Sequence, residues 1–282
     1  MDNAVEIRGL NKSFGSFALD DVDLEVPRGY VVGLIGENGA GKTTLIKCIT
    51  GAVMADSGSI EILGGGMSQN IWRIGVVYDE CHFFQQMNGT QIGKLMSSLF
   101  GGWDDGRYTE MMSRFGIPMD RRIKDYSRGM RMKIQVAVAL SHDPELLILD
   151  EATAGMDPAA RDEFLDIVMD FMRDERHTTI MSSHITGDLE RVADYIVFIH
   201  GGRVVMNGTK DDILDNYGIV RGSESEVLSI GRENIVSIRR EGLSTSALVS
   251  DRNGVAEAYP ELVVDRASLD DIMVMVIRGD SQ

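Results

Sequence analysis

Eight consecutive residues, Gly36-Glu37-Asn38-Gly39-Ala40-Gly41-Lys42-Thr43, carry the most chemistry in this chain. They fit G-x-x-x-x-G-K-[ST], a loop that cradles phosphate. Gly36, Gly39 and Gly41 admit backbone angles that a Cβ forbids, so successive N–H groups can converge on phosphate oxygens. Lys42 can reach the β- and γ-phosphates, and the Thr43 hydroxyl can ligate Mg²⁺. A second chemical segment is Asp150-Glu151, two carboxylates ending the apolar run Leu146–Leu149. At the carboxyl end of a parallel strand, Asp150 can hold Mg²⁺ through water while Glu151 polarises an attacking water. An ordinary helix N-cap region is the plainer reading of the same pair.

The elements needed to position these groups are present. Tyr30–Ile35 reads as a buried strand entering the loop, and Thr44–Thr50 leaves it with helical periodicity, bringing a positive dipole end to the phosphates. Further strands are expected at Val5–Leu10, Val22–Val26, Ser59–Leu63, Trp72–Tyr78, Leu146–Asp150, Thr178–Ser182, Tyr195–His200 and Gly202–Met206. Several are continuous Val/Ile/Leu runs, as in parallel strands covered on both faces. Residues 88–140 switch to helical periodicity and read as a helical insertion, and helices return at Pro158–Arg173 and Thr186–Ala193. Beyond residue 220 the texture changes: Ser223–Glu226 is loop-like, Ile235–Arg239, Ser246–Ser250 and Leu262–Val264 read as short strands, and Leu269–Val276 as strand or helix.

Composition narrows the class. The 282 residues suffice for one large domain and a small appendage. A net charge of −16 with no basic stripe argues against a nucleic-acid partner and against adsorption to an anionic membrane. No apolar run reaches the ~18 residues of a membrane span, and acidic Asp2 does not suit a signal peptide, so a cytoplasmic location is expected. Cys48 and Cys81 form neither a disulfide framework nor a metal spacing. The 17 methionines, many within 111–172, read first as adaptable core filler.

The order of motifs is more specific than any one of them. Phosphate loop, Tyr126-Ser127-Arg128-Gly129-Met130, the Asp150-Glu151 strand, Ala154-Gly155-Met156-Asp157 and Ser183-His184 follow one another. The chain resembles the ATP-binding subunit of an ABC transporter over residues 4–215, in the branch that pairs with separate exporter-type permeases. That resemblance implies a P-loop α/β fold: a mostly parallel core sheet, an antiparallel β-edge and a helical subdomain. It assigns residues 1–219 to the ATPase domain and leaves 220–282 as a small α+β C-terminal extension. ATP and Mg²⁺ are the implied cofactors, held by residues 36–44, including Asn38, Ala40 and Thr44, with Thr43 and Asp150 at the metal.

Ser127 and Gly129 are implied to touch the γ-phosphate of ATP on a second ATPase subunit, identical or diverged, and Asp157 to communicate with the opposite site. A Ser N-cap at Ser127 and an N-cap at Asp157 ahead of Pro158 are the local alternatives, and both can hold together. His184 matches the switch histidine that contacts the γ-phosphate. Phe14 matches the adenine-stacking aromatic, with turn packing as its alternative. Two positions depart from the common pattern: Met130 stands where Gln is usual, and Asp79 where a Gln meets Mg²⁺ and the attacking water. Asp79 is expected at the metal, with Gln85 or Gln86 as substitutes if the loop is shifted. The implied activity is ATP hydrolysis driving a separate transmembrane permease. Its rivals are a non-transport ATPase of the same superfamily and an ATP-gated module that scarcely turns over.

Overall fold

The computed structural model describes residues 2–242 and 244–281. Strands β1 (Asn3–Phe14) and β2 (Phe17–Pro27) form an antiparallel hairpin whose buried residues include Ile7, Leu10, Leu19 and Leu24. β3 (Val31–Ile35) is buried at every position and runs through the phosphate loop into α1 (Lys42–Ile49). β4 (Ser57–Ile62) pairs with β1, completing a three-stranded sheet of order β2-β1-β4. After the short α2 (Met67–Asn70) comes β5 (Ile74–Val77). Trp72, expected in that strand, lies in the preceding 3-10 turn Ile71–Arg73. Its ring packs edge-on against Phe100 at 5.5 Å, a side-chain contact that strand periodicity does not encode.

The helical block expected at residues 88–140 is α3 (Gly89–Leu99), α4 (Asp105–Arg114) and α5 (Arg128–Leu140). Asn88, Asp104 and Ser127 cap their helices by accepting from Gln91 N, Arg107 N and Met130 N. Met112 and Met132 are buried here, as are Met156 and Met181 further on, which suits the filler role.

The chain then alternates strand and helix: β6 (Leu146–Asp150), α6 (Pro158–Phe171), β7 (Thr178–Ser183), α7 (Thr186–Val192), β8 (Tyr195–His200) and β9 (Arg203–Thr209). These close a six-stranded sheet of order β5-β6-β7-β3-β8-β9, parallel throughout except for β9 against β8. Separate hydrophobic clusters lie on its two faces, the doubly covered arrangement that continuous apolar strands require.

Residues beyond α8 (Lys210–Asn216) build a five-stranded antiparallel sheet of order β13-β10-β12-β11-β14. Its elements are β10 (Gly218–Gly222), α9 (Glu224–Val227), β11 (Ile235–Glu241), β12 (Ser244–Val249), α10 (Arg252–Ala258), β13 (Val264–Arg266), α11 (Leu269–Arg278) and β14 (Asp280–Ser281). The structure departs from the sequence reading at three places: Gly218–Gly222 is strand β10, so residue 219 falls inside it; Ser223–Glu226, expected as a loop, enters α9 because Ser223 and Glu226 form a capping box; and the strand expected at Leu262–Val264 begins at Val264. Of the two readings at Leu269–Val276 the helix holds, capped by Ser268. The extension has a small core of its own around Val220, Ile238 and Val255. It also lends Leu269, Ile272 and Met275 to the main core, beside Leu189 and Val192 of α7.

Candidate nucleotide site

Strand register assembles the site. Ile35 pairs with Ser183 and Asp150 with Ser182 in adjacent parallel strands, so β3, β6 and β7 end at one level. Ligands of open α/β sheets bind outside this carboxyl edge. The loop after β3 folds against the turn after β8: Gly202 N donates to Ala40 O at 3.0 Å. A Cβ on Gly36 would lie 2.3 Å from Ile199 O, so only glycine allows that approach. Gly41 holds φ of +117°, a conformation closed to other residues at acceptable cost, and it starts α1.

Lys42 is buried inside the loop. Its Nζ donates to Gly36 O at 2.6 Å and Glu37 O at 3.1 Å, and lies 3.1 Å from Glu151 Oε1. Glu151 Oε2 accepts from His184 Nδ1 at 2.6 Å. One carboxylate therefore stands between the loop lysine and the histidine after β7. Glu151 sits at φ +50°, a strained value for a residue with a Cβ. Its N–H is anchored on Ser182 by Oγ at 3.0 Å and by the carbonyl at 3.2 Å. Ser182, which sequence reasoning passed over, thus holds the backbone that aims Glu151.

Asp150 is 1% exposed and accepts on one oxygen from Ser182 Oγ at 2.8 Å and Thr43 Oγ1 at 3.1 Å. Burial pushes its carboxyl above the usual range, against those two hydrogen bonds, and the charges of Glu151 and Asp79 push the same way. A divalent cation beside Asp150 would offset that cost. The donors, a hydroxyl and a carboxylate, are oxygen ligands of the kind Mg²⁺ takes. Among the described residues no three His, Cys, Asp or Glu side chains cluster to hold a metal. The remaining ligands would be phosphate and water, which is how Mg²⁺ is bound at nucleotide sites. The residues present fit the ion.

A cleft of about 350 Å³ joins these groups, lined by Phe17, Glu37, Asn38, Gly39, Lys42, Thr43, Thr44, Asp79 and Glu151, among others. The aromatic on its wall is Phe17, not Phe14. Phe14 pairs with Phe17 across the hairpin end, is 49% exposed and stands under Lys12 Nζ at 5.3 Å. A period-two count from Phe14 puts its cross-strand partner out of view, so only the hairpin register reveals Phe17. Asp79 lines the cleft, but its carboxylate pairs with Arg128 at 2.7 Å. Ser127, Gly129 and Asp157 do not line the cleft of their own chain. Ser127 and Asp157 cap α5 and α6, accepting from Met130 N at 3.2 Å and Ala160 N at 3.0 Å. Gly129 has open space where a Cβ would go. Gln85 and Gln86 lie outside the cleft lining.

Comparison with known proteins agrees with this geometry. The ABC transporter family model matches residues 19–154. The lantibiotic transport ATP-binding protein SrtF of Streptococcus pyogenes is 34% identical over 211 residues, covering 73% of this chain and 91% of that protein. The daunorubicin resistance ATP-binding protein DrrA3 of Streptomyces coeruleorubidus is 29% identical across 99% of this chain and 97% of its own length, C-terminal extension included. Among solved structures, an ATP-binding subunit of an ABC transporter matches with a TM-score of 0.66 at 27% identity, over 74% of this chain and 91% of that one. The chain belongs to the ABC transporter family, as an ATP-binding and ATP-hydrolysing subunit.

Proposed function

We propose that this subunit hydrolyses Mg-ATP at sites shared between two ATPase subunits and drives a separate membrane permease in export. The observation that carries the catalytic part is the Glu151 carboxylate, fixed between Lys42 and His184 beside Asp150. Lys42 and the loop amides bind the phosphates, with Asn38, Gly39, Gly41 and Thr44 in the cradle and Phe17 or Phe14 against the base. Thr43 and Asp150 would hold Mg²⁺, which supplies charge neutralisation on the phosphates. Glu151 accepts a proton from the attacking water, and His184 orients that carboxylate and reports on the γ-phosphate.

Ser127 and Gly129 lie at the amino end of α5, away from the cleft of their own chain, and are read as an anion site for the phosphate of a partner subunit. Asp157 stands close in sequence to Glu151 and is read as the link between the two sites. For the permease, the fitting surface is an apolar cleft of about 300 Å³ between the sheet and the helical block, lined by Ile71, Ile74, Phe83, Met96 and Phe100. Trp72 stands 55% exposed and packs on Phe100 at its edge. Among the described residues no helix is long and apolar enough to cross a membrane. Export is supported by relatives named for lantibiotic transport and daunorubicin resistance.

The test is phosphate release by the purified protein. Mg-dependent turnover is expected, with Glu151→Gln retaining nucleotide binding and losing about 10²- to 10⁴-fold in rate, the worth of a general base. Tight binding without turnover in the wild-type chain would favour the ATP-gated module instead.

A further inference from the structure

Arg128 opens α5 directly after Ser127, yet its guanidinium reaches out of its own segment. Its Nη2 donates to Asp79 Oδ1 at 2.7 Å. The same group lies against Gly155: a Cβ built there would meet Nη1 at 2.9 Å and Cζ at 3.3 Å. One side chain therefore joins the residue beyond β5, the start of α5 and the loop before α6. Asp79 in turn is a wall shared by two clefts. On one side stand Lys42, Thr43 and Glu151; on the other, in a cleft of about 610 Å³, stand Arg128, Arg131 and Gln135.

Asp79 has a one-carbon arm, so its carboxylate serves one side at a time. Towards α5 it meets Arg128. Towards the nucleotide cleft it would meet the cations gathered there, Lys42 and the Mg²⁺ that accompanies nucleotide. Both partners of the ion pair are exposed, at 59% and 47% of their side chains, so the contact is weak enough to open. We infer that the Asp79–Arg128 pair is a clasp within one subunit, which Mg-nucleotide opens by competing for the Asp79 carboxylate. The inference rests on the assignment of the cleft to Mg-nucleotide. Opening frees the amino end of α5 and leaves a guanidinium beside Ser127 and Gly129, on the surface offered to the partner's phosphate. Linkage makes the effect reciprocal: whatever strengthens the clasp weakens Mg-nucleotide binding by the same factor.

Equilibrium binding of a fluorescent ATP analogue, with and without Mg²⁺, tests it on the full chain. Arg128→Gln should tighten Mg-nucleotide binding about two- to fivefold at low salt, the range set by one exposed ion pair. That gain should shrink at high salt, be absent without Mg²⁺, and vanish in an Asp79→Asn background. Hydrogen exchange at residues 128–133 without nucleotide gives a second readout. Either single change should raise it and the double change should add nothing. If the wild-type chain binds and Arg128→Gln is neutral, weaker, or equally tightening in the Asp79→Asn background, the clasp is overturned alone. A wild-type chain that binds no Mg-nucleotide overturns the ATPase reading and the clasp with it.

Discussion

The buried pair of Lys42 and Glu151 makes a stability prediction that is independent of turnover. Without nucleotide, Lys42 is the cation at Glu151 Oε1, 3.1 Å away, and the side chains are 5% and 12% exposed. Oε1 accepts no hydrogen bond among the described residues. Lys42→Met keeps the aliphatic stem and removes only the charge. Breaking one side of a buried ion pair costs about 3–5 kcal/mol when the other charge is left unpaired. Here Glu151 keeps His184 on its other oxygen at 2.6 Å, which lowers the expected loss to about 2 kcal/mol. For a chain of 282 residues that is a fall of roughly 3–4 °C in melting temperature. Glu151→Gln should cost less, about 1 kcal/mol or under, because Lys42 keeps the Gly36 and Glu37 carbonyls. The double variant should then be more stable than Lys42→Met alone, since the orphaned carboxylate is gone. Thermal melts in nucleotide-free, chelated buffer decide it. A Lys42→Met protein that melts with the wild type, or a double variant no better than Lys42→Met, would refute the assignment of mutual dependence.

Composite sites predict complementation: Lys42→Ala and Ser127→Arg subunits, each inactive alone, should recover hydrolysis when mixed, because one site of the mixed dimer carries neither lesion. Proven mixed dimers without phosphate release would count against sites shared between subunits. Asp150→Asn should stabilise the nucleotide-free protein at neutral pH. The folded state holds the Asp150 proton more tightly than the unfolded chain, mainly through burial, so its ionisation costs stability as pH rises through the raised value. The gain over wild type should disappear in acid below the ordinary carboxylate range, and a pH-independent difference in melting would contradict this. Leu269→Ala, at a fully buried residue whose N–H caps onto Glu190 Oε1 at 2.9 Å, should cost about 2–5 kcal/mol in melts of the whole chain. A negligible change would mean that the extension is not bound into the main core.

How far the sequence shows this molecule depends on whether a signal is local. The phosphate loop, its glycines and the Val/Ile/Leu strands around it are short-range patterns, and the fold follows them closely through β3, α1, β6 and β7. The C-terminal sheet is less legible because its strands and apolar runs are short. Gly218–Gly222 has two glycines at its ends, and Leu269–Val276 satisfies helix and strand counts alike until Ser268 is seen capping it. Site residues divide the same way. Lys42, Asp150 and Glu151 announce themselves by spacing, whereas Ser182 matters through a backbone bond 31 residues away and Phe17 through a hairpin register.

Asp79 is the sharpest case. Its place at the end of β5 is visible from the strand pattern, and its chemistry suits a metal. What occupies its carboxylate is Arg128, 49 residues later at the start of α5. An acid at the cleft wall and a cation at a helix amino end already positive from its dipole thus meet in space, and each offsets the other's charge. Paired, the two charges cancel locally while the nucleotide is absent. That compensation is a property of the tertiary structure, and a single sequence holds no local trace of it.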